Sequence, residues 1–272
     1  MSLHQQLHKF EAAFERFAAP VKPYLPLIAR FLLVVTFLED SVRMTCSFWA
    51  SFLNLGFSSA AADLFLIGNV LIMLACSILA IAKKHTEIAV GGLAVVVVTQ
   101  GLGYGLIFDP AFLFRTISIV GGLVMLLADA HLSKSSKNSR SIFAGLPQIV
   151  DADSRSTYLQ LCGRVLLVFL FLSFVFAAEL TPLRIVVAAI ALIGSILVVI
   201  GFKAKWTAGF LIVFLCFSNV LLNNWWTLHH NHPQRDFQRY DFFQNLSIMG
   251  GFLLLVNLGP GGLSMDGKKK DF

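Results

Sequence analysis

Charge is scarce in this sequence: only 13% of its 272 residues are Asp, Glu, Lys or Arg, 57% are hydrophobic, and mean hydropathy is +0.78. A soluble domain has too little interior to hide so much apolar surface, which excludes one soluble globular core and makes lipid the solvent for much of the chain. Cysteine is sparse too. Cys46, Cys76, Cys162 and Cys216 form no Cys-x-x-Cys pair and no His/Cys ligand spacing, so neither a disulfide framework nor a zinc site is expected. They read as small apolar core residues. The basic excess of +6 is broken into short groups between apolar runs, so nucleic acid is not expected as a partner. No cleavable signal peptide is visible, because the N-terminus is polar and the first apolar run starts near Leu27, as a retained signal anchor would.

Long apolar runs are what the chain has in abundance. A membrane span needs roughly 20 mostly apolar residues. Gly, Pro and charged punctuation separates eight such runs: 27 to 47, 61 to 82, 88 to 108, 112 to 130, 163 to 178, 182 to 202, 206 to 226 and 242 to 258. The fold class is therefore all-α, a polytopic transmembrane helix bundle. With a cytosolic N-terminus, 16 of the 21 basic residues fall on the cytosolic side, against Arg43, Arg115, Arg184, Arg235 and Arg239 inside or lumenal. The positive-inside rule then places both termini in the cytosol.

The chain also repeats itself. Arg30 to Leu38 matches Arg164 to Leu172, and Phe114 with Ser118-Ile119-Val120-Gly121-Gly122 matches Phe243 with Ser247-Ile248-Met249-Gly250-Gly251. Two parallel four-helix repeats follow, residues 27–132 and 163–258, related by a pseudo-twofold axis along the membrane normal. Residues 133–162 are polar and Ser-rich and read as a cytosolic linker, and 259–272 as a cytosolic tail. In 1–26, Leu3, Leu7, Phe10, Phe14 and Phe17 fall at helical spacing, giving an amphipathic segment that lies on membrane lipid or packs under the bundle.

Glu39, Asp40 and Arg43 interrupt the first span, where each ionised group costs roughly 2.5 to 3.5 kcal/mol on insertion scales and must face protein or a wet cavity. Arg43 is spaced i+4 from Glu39 and i+3 from Asp40, so one guanidinium can meet both carboxylates and leave one net negative charge. Two readings stand: an ion cluster that fixes helix packing, or a lumen-facing acidic pocket. Asp63, Asp109, Glu179 and Asp241 lie near the lumenal ends of other spans, and Trp49, Trp225 and Trp226 supply either pocket wall or interfacial belt. His229-His230-Asn231-His232 has no carboxylate or cysteine at ligand spacing and reads as solvated loop, so no metal is expected. The Asn245-Leu246-Ser247 sequon falls at the start of a span and reads as unused. No nucleophile with a positioned base can be assembled from neighbours, so neither an enzyme nor a cofactor is expected.

Lys269 and Lys270 stand fourth and third from the end of the sequence, before Asp271 and Phe272. That register suits a receptor that measures from the chain end, and reads as a dilysine signal for retrieval to the endoplasmic reticulum. Asp151-Ala152-Asp153 matches a diacidic export signal in form, although a solvated linker accounts for it as well.

From about Tyr24 to the C-terminus the chain resembles the surfeit-locus protein 4 family of cargo receptors. The resemblance rests on Phe37-Leu38-Glu39-Asp40 with Arg43-Met44, Phe143-Ala144-Gly145, Gly163 to Val168, Ile200 to Lys203, Tyr240 to Gln244, and Leu258 to Gly262 with Ser264-Met265-Asp266. It implies a receptor that binds soluble secretory proteins in the endoplasmic reticulum lumen, enters vesicles with the COPII coat and returns with COPI through Lys269 and Lys270. It also implies recognition of a cargo N-terminus, often hydrophobic, proline, hydrophobic. An amine beside apolar side chains wants a carboxylate beside aromatics. Glu39 or Asp40, with Asp241 or Asp109, is then expected to hold the amine, and Trp225, Trp226 or Tyr104 to form the wall. The rivals are a small-solute or lipid transporter and a DoxX-like membrane oxidoreductase. The first needs a polar path to the cytosolic side, and the second needs haem or quinone ligands that the spans, nearly free of histidine, do not offer. Oligomeric state is left open, a homo-oligomer included.

Overall fold

A computed structural model describes residues 22–53, 60–103, 108–141, 150–175 and 182–264, apart from 230, 231, 233, 260 and 263. Among these residues there are eight α-helices and no strand: α1 (Leu25–Leu53), α2 (Ala60–Ile81), α3 (Thr86–Gly103), α4 (Pro110–Ser141), α5 (Val150–Val175), α6 (Pro182–Ile200), α7 (Ala204–Leu222) and α8 (Arg235–Leu258). A short 3-10 turn, Trp225–Thr227, joins α7 to α8. Prolines mark the starts: Pro26, Pro110 and Pro182 sit in first turns, where a missing N–H costs nothing and the fixed φ suits the helix. Gly201 (φ 74°) ends α6 and Gly259 (φ 86°) ends α8, left-handed conformations that glycine adopts without a Cβ penalty.

Among the described residues five windows, one each in α2, α4, α5, α8 and the α7 region, are long and apolar enough to cross a membrane, and α3 and α6 hold shorter apolar stretches. Helix α1 misses that test because Arg30, Glu39, Asp40 and Arg43 interrupt it. The protein is a polytopic helical membrane bundle. Its helix limits depart furthest from the apolar runs between α4 and α5. Helix α4 continues to Ser141 and α5 begins at Val150, so much of the polar stretch 133–162 is helix. Hydropathy marks where lipid ends, not where the backbone hydrogen-bond ladder ends, and Lys134 on this extension reaches Glu87 at 2.6 Å.

Helices α1, α4, α5 and α8 make the centre, with α2–α3 and α6–α7 outside. The burial agrees: 56% of the α8 window is buried against 28% of the α2 window. Contacts of the two halves exchange with one another. Ser118 donates to the Leu167 carbonyl at 2.8 Å, and its counterpart Ser247 donates to the Leu33 carbonyl. Leu33 and Leu167 are themselves counterparts in the repeat. Gly121 faces the α5 backbone at Leu166 and Leu167, while Gly250 faces the α1 backbone at Ala29 and Leu33. Between these contacts Gly122 and Gly251 face each other, so that a Cβ on Gly251 would lie 3.0 Å from the Gly122 Cα. Small residues here let backbones approach where lipid gives no hydrophobic drive.

The cysteine expectation needs correction. Cys76 is buried, but Cys46, Cys162 and Cys216 are exposed on the bundle surface. In lipid the outward face is apolar too, so a small apolar residue carries no instruction to lie inside.

Candidate functional site

The charges of the first span collect at one end of the bundle, opposite the end where α1 begins. Asp40 is buried and accepts from the Arg43 guanidinium one turn along α1 and from Gln100 Nε2 of α3 at 2.9 Å. Helical spacing makes the first contact local, and packing of α3 brings the second. Arg43 in turn stacks over Tyr240 of α8, its guanidinium carbon 5.4 Å from the ring centroid. Beside them Asp40, Gln100, Thr116, Phe112, Tyr240 and Gln244 line a cavity of about 20 Å³, room for roughly one water. Both polar atoms of the Gln244 side chain lack a partner, which such a water would satisfy.

Glu39 behaves differently from its neighbour. Its carboxylate is buried and lies 3.0 Å from Arg239 Nε, an ion contact across α1 and α8. The angle is not that of a hydrogen bond, and neither carboxylate oxygen of Glu39 accepts one. A buried carboxylate normally fills its lone pairs. Asp241 pairs with Arg115 of α4. Three carboxylates, Glu39, Asp40 and Asp241, therefore meet three guanidiniums, Arg43, Arg239 and Arg115. The negative charge expected from α1 alone is balanced from α8, because Glu39 turns to Arg239 instead of sharing Arg43.

Aromatic rings close over this cluster. The Arg239 and Arg235 guanidinium carbons lie 5.4 and 5.5 Å from the Trp225 ring centroid. Trp226 meets Trp225 edge-on at 6.1 Å and Phe242 at 5.7 Å, and Phe112 stacks on Tyr240 at 6.4 Å. Trp226 is half exposed, so the wall has an open face.

The structure thus brings together Glu39, Asp40, Arg43, Asp241, Trp225 and Trp226. Asp109 is exposed just before α4 and does not line the cavity. Tyr104, Glu179, Lys269 and Lys270 lie outside the described residues, as do the side chains of Asp63, Trp49, Asp151 and Asp153. Asn245 is buried in α8 and donates to Asn219, out of reach of glycosylation. Among the described residues no His, Cys, Asp or Glu group has the arrangement of a metal site. Sequence reasoning missed Arg115, Arg239, Gln100, Tyr240 and Gln244 as site members. One signal was present: Arg43, Arg115 and Arg239 are three of the five basic residues on the minority side of the charge count. A cation on the wrong side of that rule needs a local partner.

The comparisons with known proteins agree with each other. A profile described as the SURF4 family matches residues 4–272. The chain is 40% identical over 270 residues to the Surfeit locus protein 4 homolog of Schizosaccharomyces pombe, covering 96% of this chain and 87% of that one. It is 36% identical over 272 residues to the Surfeit locus protein 4 homolog of Drosophila melanogaster, covering 98% of each. It is 34% identical over 282 residues to the ER-derived vesicles protein ERV29 of Saccharomyces cerevisiae, covering 97% of this chain and 87% of that one. No solved structure matches the chain. The chain belongs to the SURF4 family.

Proposed function

We propose that this protein is a receptor for soluble secretory cargo in the endoplasmic reticulum lumen, one that holds the cargo amine at Glu39. The observation that carries the reading is the Glu39 carboxylate: buried, free of hydrogen-bond donors and walled by Trp225 and Trp226 through Arg239. A protonated N-terminus offers three donors to such a group, and the apolar side chains behind it suit the aromatic face. Asp40 is a poorer candidate, since Arg43 and Gln100 already occupy it. The family relation to a protein named for ER-derived vesicles supports a cycle of loading by COPII and return by COPI, with Lys269 and Lys270 as the retrieval signal and both termini in the cytosol.

The test is binding of cargo N-terminal peptides to the purified full chain. Glu39→Gln keeps the shape and removes the charge, and loss of one charge-assisted hydrogen bond weakens binding about tenfold or more. Acetylating the peptide amine produces the same loss on the parent protein. Equal affinity for free and acetylated peptides, or for parent and Glu39→Gln, rejects this site.

A further inference from the structure

The second half contains an arginine that the proposed cargo site does not use. Arg164 of α5 is fully buried, and its Nε, Nη1 and Nη2 all lack a hydrogen-bond partner. A buried guanidinium without a counter-ion is among the most costly arrangements in a protein interior, and charges kept within a membrane bundle pair with an opposite charge or line a polar site. The first half shows how the matching position is satisfied. Arg30, the repeat counterpart of Arg164, pairs with buried Asp129 of α4.

The second half has a cation where the first has acids. The register that aligns Ser118 with Ser247 puts Leu258 where Asp129 stands. Gly259 follows with a left-handed backbone (φ 86°), and Lys205 of α7 lies against it: a Cβ there would stand 3.2 Å from Lys205 Cε and 3.9 Å from its Nζ. Lys205 is itself a reversal of charge. The α2–α3 turn passes through left-handed Lys83 (φ 61°) and the α6–α7 turn through Gly201 (φ 74°), and four residues beyond each stand Glu87 and Lys205. The first corner, Arg30 with Asp129 and Glu87 with Lys134, is neutral. In the second, neither Arg164 nor Lys205 has a carboxylate partner among the described residues.

This corner lies where the apolar part of the bundle stops. In α5 the polar residues Ser156, Thr157 and Gln160 precede Arg164, and an apolar run begins at Val165. Three helix ends come beside it: Gly201 after α6, where a Cβ would lie 2.8 Å from Arg164 Nη1, Lys205 in the first turn of α7, and Gly259 after α8. Ile200 and Phe202, on either side of Gly201, are exposed and offer acyl chains an apolar surface next to the two cations. A guanidinium takes two phosphate oxygens side by side and an ammonium takes a third. Basic pockets between spans suit lipid headgroups for this reason.

We propose that Arg164 and Lys205 hold the phosphate of an anionic phospholipid, in the place that Asp129 fills for Arg30. Ser264 covers Arg164 across Gly201, where a Cβ would lie 2.5 Å from Ser264 Cβ. Its hydroxyl donates to the Gly261 carbonyl at 2.8 Å, a bond local to the chain after α8, so the cover lifts to admit the phosphate without parting the helices.

The test titrates the purified full chain in detergent with short-chain phosphatidic acid and counts bound lipid by native mass spectrometry. The parent holds one such lipid in preference to phosphatidylcholine, whose choline neutralises its phosphate. Lys205→Gln changes an exposed side chain and weakens binding about fivefold, and Arg164→Leu removes it. Lys134→Gln, at the corner that has its own acids, leaves binding unchanged. Glycerol 3-phosphate offers the same phosphate without acyl chains and competes poorly; competition equal to that of the lipid assigns the site to a free anion and overturns the lipid reading. So does equal binding of phosphatidylcholine. Unchanged affinity in Lys205→Gln, or an equal loss in Lys134→Gln, overturns the proposal even where Arg164→Leu fails to fold.

Discussion

Replacing Gly250 by Ala tests the backbone contact that joins the two halves. A Cβ at this position falls on the Leu33 amide nitrogen, the Ala29 carbonyl oxygen at 2.7 Å and the Leu33 Cα at 2.9 Å, all main-chain atoms of α1. Ordinary contact begins near 3.4 Å, and no rotamer change can move a backbone, so α1 and α8 must separate by more than half an ångström along their contact. Overpacking of this kind costs about 1 to 3 kcal/mol, and the separation also weakens the Ser247 bond to the Leu33 carbonyl. Removing a helical glycine returns about 0.5 to 1 kcal/mol, leaving a net loss on the order of 1 to 2 kcal/mol, or several degrees of melting temperature. Gly121→Ala faces the same problem, since its Cβ would lie 2.7 Å from the Leu167 amide nitrogen, and it should melt lower by a similar amount. Gly209→Ala is the internal control: nothing lies within 4 Å of its Cβ, so only the gain remains. Buried Cys76 can report unfolding to a thiol-reactive dye once the exposed Cys46, Cys162 and Cys216 are replaced by serine. If Gly250→Ala melts at or above its parent, as Gly209→Ala should, close approach at this interface does not hold the halves together.

Two further outcomes follow from the site and the tail. Arg239→Gln removes the cation that competes for Glu39, so free-amine cargo peptides should bind severalfold more tightly while acetylated peptides do not change; weaker binding of both would show that Arg239 builds the pocket instead of guarding it. Lys269→Ser with Lys270→Ser should move the protein from the endoplasmic reticulum to the Golgi or beyond, as seen by imaging of the full chain, and continued residence would remove the retrieval reading.

Most of the fold was legible because its two signals are strong. Apolar length located the eight helices among the described residues, and rare matched residues in a fixed order pair Arg30 with Arg164 and Ser118 with Ser247. Helix ends were less legible, since the α4 extension past the apolar run is decided by backbone bonding and ion pairing. At the site, Glu39, Asp40 and Arg43 announced themselves as charges inside an apolar run. Their partners did not. Arg239, which meets Glu39, comes from a helix about 200 residues away, Gln100, which meets Asp40, from one about 60 residues away, and local spacing favoured Arg43 for both acids. Sequence could place Glu39 and Asp40 side by side but could not say that both oxygens of Asp40 accept a hydrogen bond while those of Glu39 meet only an ion contact.

That distinction also bears on how the two halves are joined. At the charged end, Glu39–Arg239 and Arg115–Asp241 both cross between the halves, linking α1 and α4 to α8. At the other end Arg30–Asp129 lies wholly within the first half, and the middle is held by glycine-to-backbone contact. A cationic ligand that takes Glu39 from Arg239 therefore removes one of these two ionic ties while leaving the glycine contacts in place. The Arg239 guanidinium, already stacked against Trp225, then has an aromatic face as its remaining partner. On the proposal that Glu39 holds the cargo amine, occupancy would be coupled to the interface between the halves by ion-pair exchange, without a change in the internal packing of either half.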